Sequence, residues 1–168
     1  MSVVPEPQDA DRDVVDPDVD LADPVERREA PGPRLHAVLG VIAVGGVVGA
    51  EARYGLGVLL PHRADEWPWA TLLTNVSGCL LIGVLMVVIV ERIRPHPLVR
   101  PLLGVGVLGG YTTFSTYAVD TVAAVQSGRV VLAVLYAVAT PLLALVAVAI
   151  GTTATRRLVP DRRGEARS

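Results

Sequence analysis

Lysine is absent from this chain, all 15 basic residues being arginine, and cysteine occurs once, at Cys79. A lone cysteine excludes an internal disulfide, and its place inside an apolar run reads as a small buried hydrophobe rather than a reactive thiol. Histidine is sparse too: His36, His62 and His96 are scattered without the spacing of metal ligands, which argues against a zinc or iron centre. Charge is scarce overall. Only 19% of residues are charged against 51% hydrophobic, with a mean hydropathy of +0.48, which is too apolar for an ordinary soluble domain of this size. The expected surroundings are membrane lipid, and no nucleic-acid partner is expected.

The formal charge of -2 conceals an asymmetry. Ten of the 17 acids, from Glu6 to Glu29, fall in the first 33 residues together with six prolines, so the remainder of the chain is basic. A stretch with that composition and no hydrophobic period cannot bury enough apolar area to offset chain entropy, and 1–33 reads as a disordered acidic tail. It has no basic segment leading into a short apolar stretch, so a cleaved signal peptide is not expected.

Four uncharged runs follow, at 35–50, 67–90, 101–119 and 130–155. The last three reach the roughly 18–20 residues needed to cross about 30 Å of hydrocarbon as helix. The first does so if it continues past Glu51 and Arg53, with both charges facing protein or water. Lipid offers no hydrogen-bond partners, so the spans are helical. The chain therefore reads as an all-α integral membrane protein. Its four-helix domain covers 34–157, with helices at about 35–60, 68–92, 98–126 and 129–155, before a basic tail at 158–168. The connections are short enough to make successive helices antiparallel neighbours.

Two strings mislead. Gly104-Val105-Gly106-Val107-Leu108-Gly109 fits a dinucleotide fingerprint, but that motif needs a strand before it in a βαβ unit and here lies within a span. Asn75-Val76-Ser77 fits a glycosylation sequon, yet falls inside the second span.

Gly45 and Gly49 form a G-x-x-x-G pair of the kind that lets two helix backbones approach closely. The segment from Gly109 to Tyr117 is different in kind. Two adjacent glycines followed by Thr112, Thr113, Ser115 and Thr116 make a poor helix, so a break is expected near mid-membrane. Carbonyls freed there need a buried partner, for which a hard cation such as sodium is suited. Helix 2 adds Thr71, Thr74, Asn75 and Ser77, and helix 4 adds Tyr136 and Thr140 one turn apart. Neutral donors of this sort suit a small, strongly hydrated anion that must exchange water for N–H and O–H groups and still leave. Phe114 and Tyr117 can add electropositive ring edges.

Three of these motifs converge. Gly45-Gly46-x-x-Gly49-Ala50-x-x-Arg53-Tyr54, Thr71-Leu72-x-x-Asn75-x-x-Gly78 and Gly109-Gly110-x-Thr112-Thr113-Phe114-Ser115-Thr116-Tyr117 resemble, in order, the first three helices of the Fluc (CrcB-type) fluoride channels. The resemblance implies a passive fluoride-selective channel rather than an enzyme. Such a channel exports cytoplasmic fluoride and so relieves its toxicity, and it works as an antiparallel dimer with two pores. It also implies a structural, untransported sodium ion held by the backbone carbonyls of Gly109 and Thr112. The implied fluoride pathway comprises Asn75, Phe114 and Tyr117, the hydroxyls of Thr113, Ser115 and Thr116, and the polar track of Tyr136 and Thr140. Arg53 stands either as a charge in the aqueous entrance or as a structural charge met by carbonyls or by Glu51. The sequence departs from the usual pattern at Tyr117, commonly Phe, at Ala70, often glycine, and at Ala144, where some members carry a hydroxyl.

Two other readings stand beside this one. A small four-helix multidrug/proton antiporter needs a carboxylate midway along helix 1, where the only acid is Glu51, late in the span. A non-transporting scaffold would use the glycines for packing alone.

Arginines near the helix ends are uneven. Arg27, Arg28, Arg34, Arg92, Arg94, Arg100, Arg156, Arg157, Arg162, Arg163 and Arg167 fall on one side, against Arg53, Arg63 and Arg129 on the other. This places both termini in the cytoplasm of a cell-membrane protein and implies a single orientation. An antiparallel dimer would then be a heterodimer with a homologous chain of opposite orientation.

Overall fold

The computed structural model describes residues 35–92 and 95–159. The acidic tail expected at 1–33 and nearly all of the basic tail expected at 158–168 lie outside the described residues.

Among the described residues all regular structure is helical. α1 covers Leu35–Leu59, and a nine-residue connection framed by Leu60 and Pro68 leads to α2 at Trp69–Met86. The end of α2 runs on through the π-wound turns Val87–Arg92. The next crossing is in two pieces. A π-wound lead-in, Pro101–Leu108, continues into α3 at Gly109–Tyr111, and after a break the chain resumes as α4 at Ser115–Gln126. α5 covers Val130–Leu158. Three of these elements are long and apolar enough to cross a membrane, namely Leu35–Leu59, Trp69–Ile89 and Val130–Leu158. The protein is a multi-pass membrane protein of four helices whose third is broken.

The turn between α4 and α5 shows how little chain a reversal requires. Gly128 has φ 79°, in the left-handed region where a Cβ is unfavourable. With that residue so placed, Arg129 N–H reaches Ala124 C=O at 2.9 Å and Gly128 N–H reaches Val125 C=O at 3.0 Å, closing the helix by the 6→1 and 5→2 bonds of a Schellman end.

Short connections suggest that sequence neighbours pack most closely, but the most extensive packing joins alternate helices. α1 lies against the lead-in to α3, and α2 lies against α5, whereas α1 and α2 touch sparingly. The reason is the placement of glycine. A Cβ on Gly45 would sit 2.5 Å from Leu102 O, and one on Gly49 would run into Val107 O, so these two backbones meet only because no side chain intervenes. On the other seam, a Cβ on Gly83 would sit 2.5 Å from Val148 O and one on Gly151 would strike Leu80 O. Small residues, rather than loop length, decide which pairs close.

Candidate functional site

The interruption of the third helix lies at Thr112, whose backbone is extended (φ -76°, ψ 156°). Side chains from other elements intercept the groups that an unbroken helix would pair internally. Thr113 N–H donates to Asn75 Oδ1 at 2.8 Å, while Asn75 Nδ2 donates to Thr113 O at 2.9 Å, so one amide side chain caps both backbone groups of one residue. Thr116 N–H donates to Thr113 Oγ1 at 3.1 Å, which starts α4. Arg53 Nε donates to Gly110 O at 3.1 Å. Two of these bonds divert an i+4 donor. Gly109 O loses the Thr113 amide to Asn75, and Thr112 O loses the Thr116 amide to the Thr113 hydroxyl. The two carbonyls that the motif marks out for a cation are those whose helical donors are taken elsewhere, a donor set suited to a hard, oxygen-preferring ion.

Beside the break lies a hollow of about 560 Å³. Asn75, Gly109, Thr112, Phe114, Tyr117 and Thr140 all border it. Phe114 is 79% exposed. Its ring stands 5.6 Å from that of Tyr117, which stands 5.5 Å from that of Tyr136. Tyr136 is fully buried behind this row and meets the Trp67 ring edge-on at 5.7 Å. Among the described residues the Tyr136 and Thr140 hydroxyls are buried without a hydrogen-bond partner, although Thr71 and Thr140 flank the Tyr136 oxygen. Buried donors left open in this way are costly unless something visits them.

The remaining predicted residues sit elsewhere. Arg53 and Thr116 border a second hollow of about 580 Å³ with Glu51, Tyr54 and Thr71, and Thr113 borders both hollows. The hydroxyls of Thr113, Ser115 and Thr116 are engaged with one another at 3.3 and 3.1 Å, forming a cap on α4.

Three residues in or beside the site were not assigned to it from sequence. Asp120 accepts from the Thr71 hydroxyl at 2.7 Å and lies 3.5 Å from His62 Nε2. As the one acid in a long apolar stretch, it carries the mark of an intramembrane functional residue. Cys79 and Pro141 border the first hollow. Pro141 was detectable as a proline inside a span.

Fold and site together define a small multi-pass membrane protein whose broken third helix borders a hollow lined by Asn75, Phe114, Tyr117 and Thr140. A family model described as CrcB-like protein, Camphor Resistance (CrcB), matches residues 40–152, and the chain belongs to that family. It is 50% identical over 126 residues to "Fluoride-specific ion channel FluC 1" of Streptomyces coelicolor, covering 75% of this chain and 82% of that one. It is 44% identical over 140 residues to "Fluoride-specific ion channel FluC 2" of Streptomyces avermitilis, covering 82% and 84%. It is 51% identical over 121 residues to "Fluoride-specific ion channel FluC 2" of Thermobifida fusca, covering 70% and 89%.

Proposed function

We propose that this chain forms a fluoride-selective channel that lets cytoplasmic fluoride leave the cell down its electrochemical gradient. The observation that carries the reading is the gathering of Asn75, Phe114, Tyr117 and Thr140 around one hollow beside the broken helix. The names of its relatives, fluoride-specific ion channels, agree with it. Chemically, the site offers the Asn75 amide, the Thr140 hydroxyl and the rings of Phe114 and Tyr117, without a full positive charge among those four. A small anion can exchange water for such groups and still depart.

Phe114 and Gly109 are exposed on the chain taken alone. An aromatic ring and a carbonyl-bearing break at membrane depth call for cover, and a second subunit packed antiparallel supplies it. The arginine bias favours a homologous chain of opposite orientation as that subunit, with both termini of this one in the cytoplasm.

Gly109 and Thr112 would hold the sodium ion through their carbonyls. When bound, the ion supplies charge neutralisation for oxygens that have lost their helical donors, and it is not transported.

The experiment is fluoride efflux from liposomes containing the purified chain, alone and mixed with any oppositely biased homologue. Rapid loss of fluoride with retention of chloride is expected. If neither preparation releases fluoride, the reading fails. Robust channels from this chain alone, with its carboxyl terminus labelled on both faces, would overturn the heterodimer part while leaving the channel intact.

A further inference from the structure

Pro141 stands inside α5, and its ring nitrogen has no hydrogen to give. The helical bond from residue 141 to the carbonyl of Ala137 is therefore missing. Within a membrane span, a carbonyl deprived in this way takes a donor from a neighbouring helix. Here that donor is the Tyr117 hydroxyl, which lies 2.7 Å from Ala137 O. Tyr117 and Pro141 border the same hollow as Asn75 and Phe114. With its oxygen fixed at α5, the Tyr117 ring is held between those of Phe114 and Tyr136, at 5.6 and 5.5 Å.

We propose that Pro141 is a positioning residue for the ion path: it frees the Ala137 carbonyl to hold the Tyr117 hydroxyl against α5, so that a passing anion meets the ring and not the O–H. The inference rests on the fluoride-path reading above. Its physical content is the difference between two donors. A ring edge attracts an anion weakly. A free phenol would donate a charge-assisted hydrogen bond, roughly twice as strong as a neutral one, and would hold the anion back.

The geometry makes a prediction that a merely structural proline does not. Pro141→Ala gives residue 141 an N–H that competes with the phenol for the Ala137 carbonyl and weakens its hold on the hydroxyl. Fluoride efflux from liposomes should fall about ten- to a hundredfold, the range a single hydrogen bond to a charged group spans. Adding Tyr117→Phe to Pro141→Ala removes the loosened hydroxyl and should recover at least half of the lost flux. Wild-type efflux in Pro141→Ala, or a double variant no faster than Pro141→Ala, would overturn the proposal. Infrared spectra of the wild-type protein with ring-labelled tyrosine, assigned by subtracting those of Tyr117→Phe, test the bond without either proline variant. A Tyr117 C–O band shifted as for a donating phenol supports the proposal, and the band of a free phenol overturns it. Wild-type liposomes that release no fluoride would instead refute the functional reading, and the infrared result would still decide the bond.

Discussion

Arg53 in α1 and Gly110, 57 residues further along the chain, are joined by a 3.1 Å hydrogen bond from guanidinium Nε to backbone carbonyl. The bond fastens the first half of the third helix to α1 just where a Cβ on Gly49 would crowd Tyr111 N at 2.7 Å. It gives the carbonyl of Gly110 a side-chain partner of its own.

Arg53→Gln is accordingly expected to act through structure. A hydrogen bond to a charged group contributes about 1.5–3 kcal/mol, so the variant should melt earlier and conduct less, by a factor that does not change with salt. Thermal melts and efflux at two ionic strengths check this. A defect that shrinks as salt rises would show steering of anions by the charge instead.

Asn75→Asp replaces the Nδ2 donor to Thr113 O with an oxygen, setting acceptor against acceptor within the membrane. Fluoride efflux should drop at least tenfold, corresponding to about 1.4 kcal/mol. Gel filtration should still show assembled protein. Undiminished flux would remove Asn75 from the pathway.

Phe114→Ile keeps bulk and loses the electropositive ring edge. With 79% of Phe114 exposed on the chain alone, the fold does not depend on it, so stability should hold while fluoride flux falls severalfold. Equal flux would end the aromatic part of the argument.

Two glycine substitutions in α1 should have opposite effects. Gly49→Ala forces a Cβ into Val107 O and should cost about 1–3 kcal/mol or abolish expression. Gly40→Ala meets nothing within 4 Å and should be neutral or stabilising by up to about 1 kcal/mol, the helix-propensity difference. Melting of the two variants side by side checks the pair.

Replacing sodium with N-methylglucamine should lower the melting temperature, because an ion that binds only the folded protein stabilises it by about 2.7 kcal/mol when present at a hundred times its dissociation constant. A melt indifferent to the cation would remove sodium from Gly109 and Thr112.

Much of this architecture was legible in the residues. Uncharged runs located the helices, because hydrocarbon thickness sets a length that few soluble segments imitate. The glycine and hydroxyl cluster at 109–117 located the break, because those residues weaken a helix locally. Helix pairing was not legible, since the connections constrain proximity and only three-dimensional register shows that Gly45 and Gly49 face Leu102 and Val107. Nor was the division of labour among the hydroxyls. Thr113, Ser115 and Thr116 are equivalent as donors in a string, but their bonds to one another depend on where Thr112 turns the chain. Nor was the bridging by Asn75, whose amide spans both backbone groups of Thr113, a partner 38 residues away.

The seams of α1 with the α3 lead-in and of α2 with α5 each skip one intervening crossing. During synthesis, then, no close-packed pair is available when the second crossing leaves the ribosome. The first seam can close only after the lead-in at 101–108 arrives, and the second must wait for Gly151, near the end of the described chain. Until then Gly83 in α2 faces lipid with no backbone against it. A nascent chain stalled before 130 would be inserted and largely helical but unpaired along one whole helix, the condition in which membrane quality-control proteases recognise their substrates. Production of this protein should therefore be limited by the interval between α2 and α5, and synonymous codons that slow translation across 101–129 should lower its yield without changing a single residue.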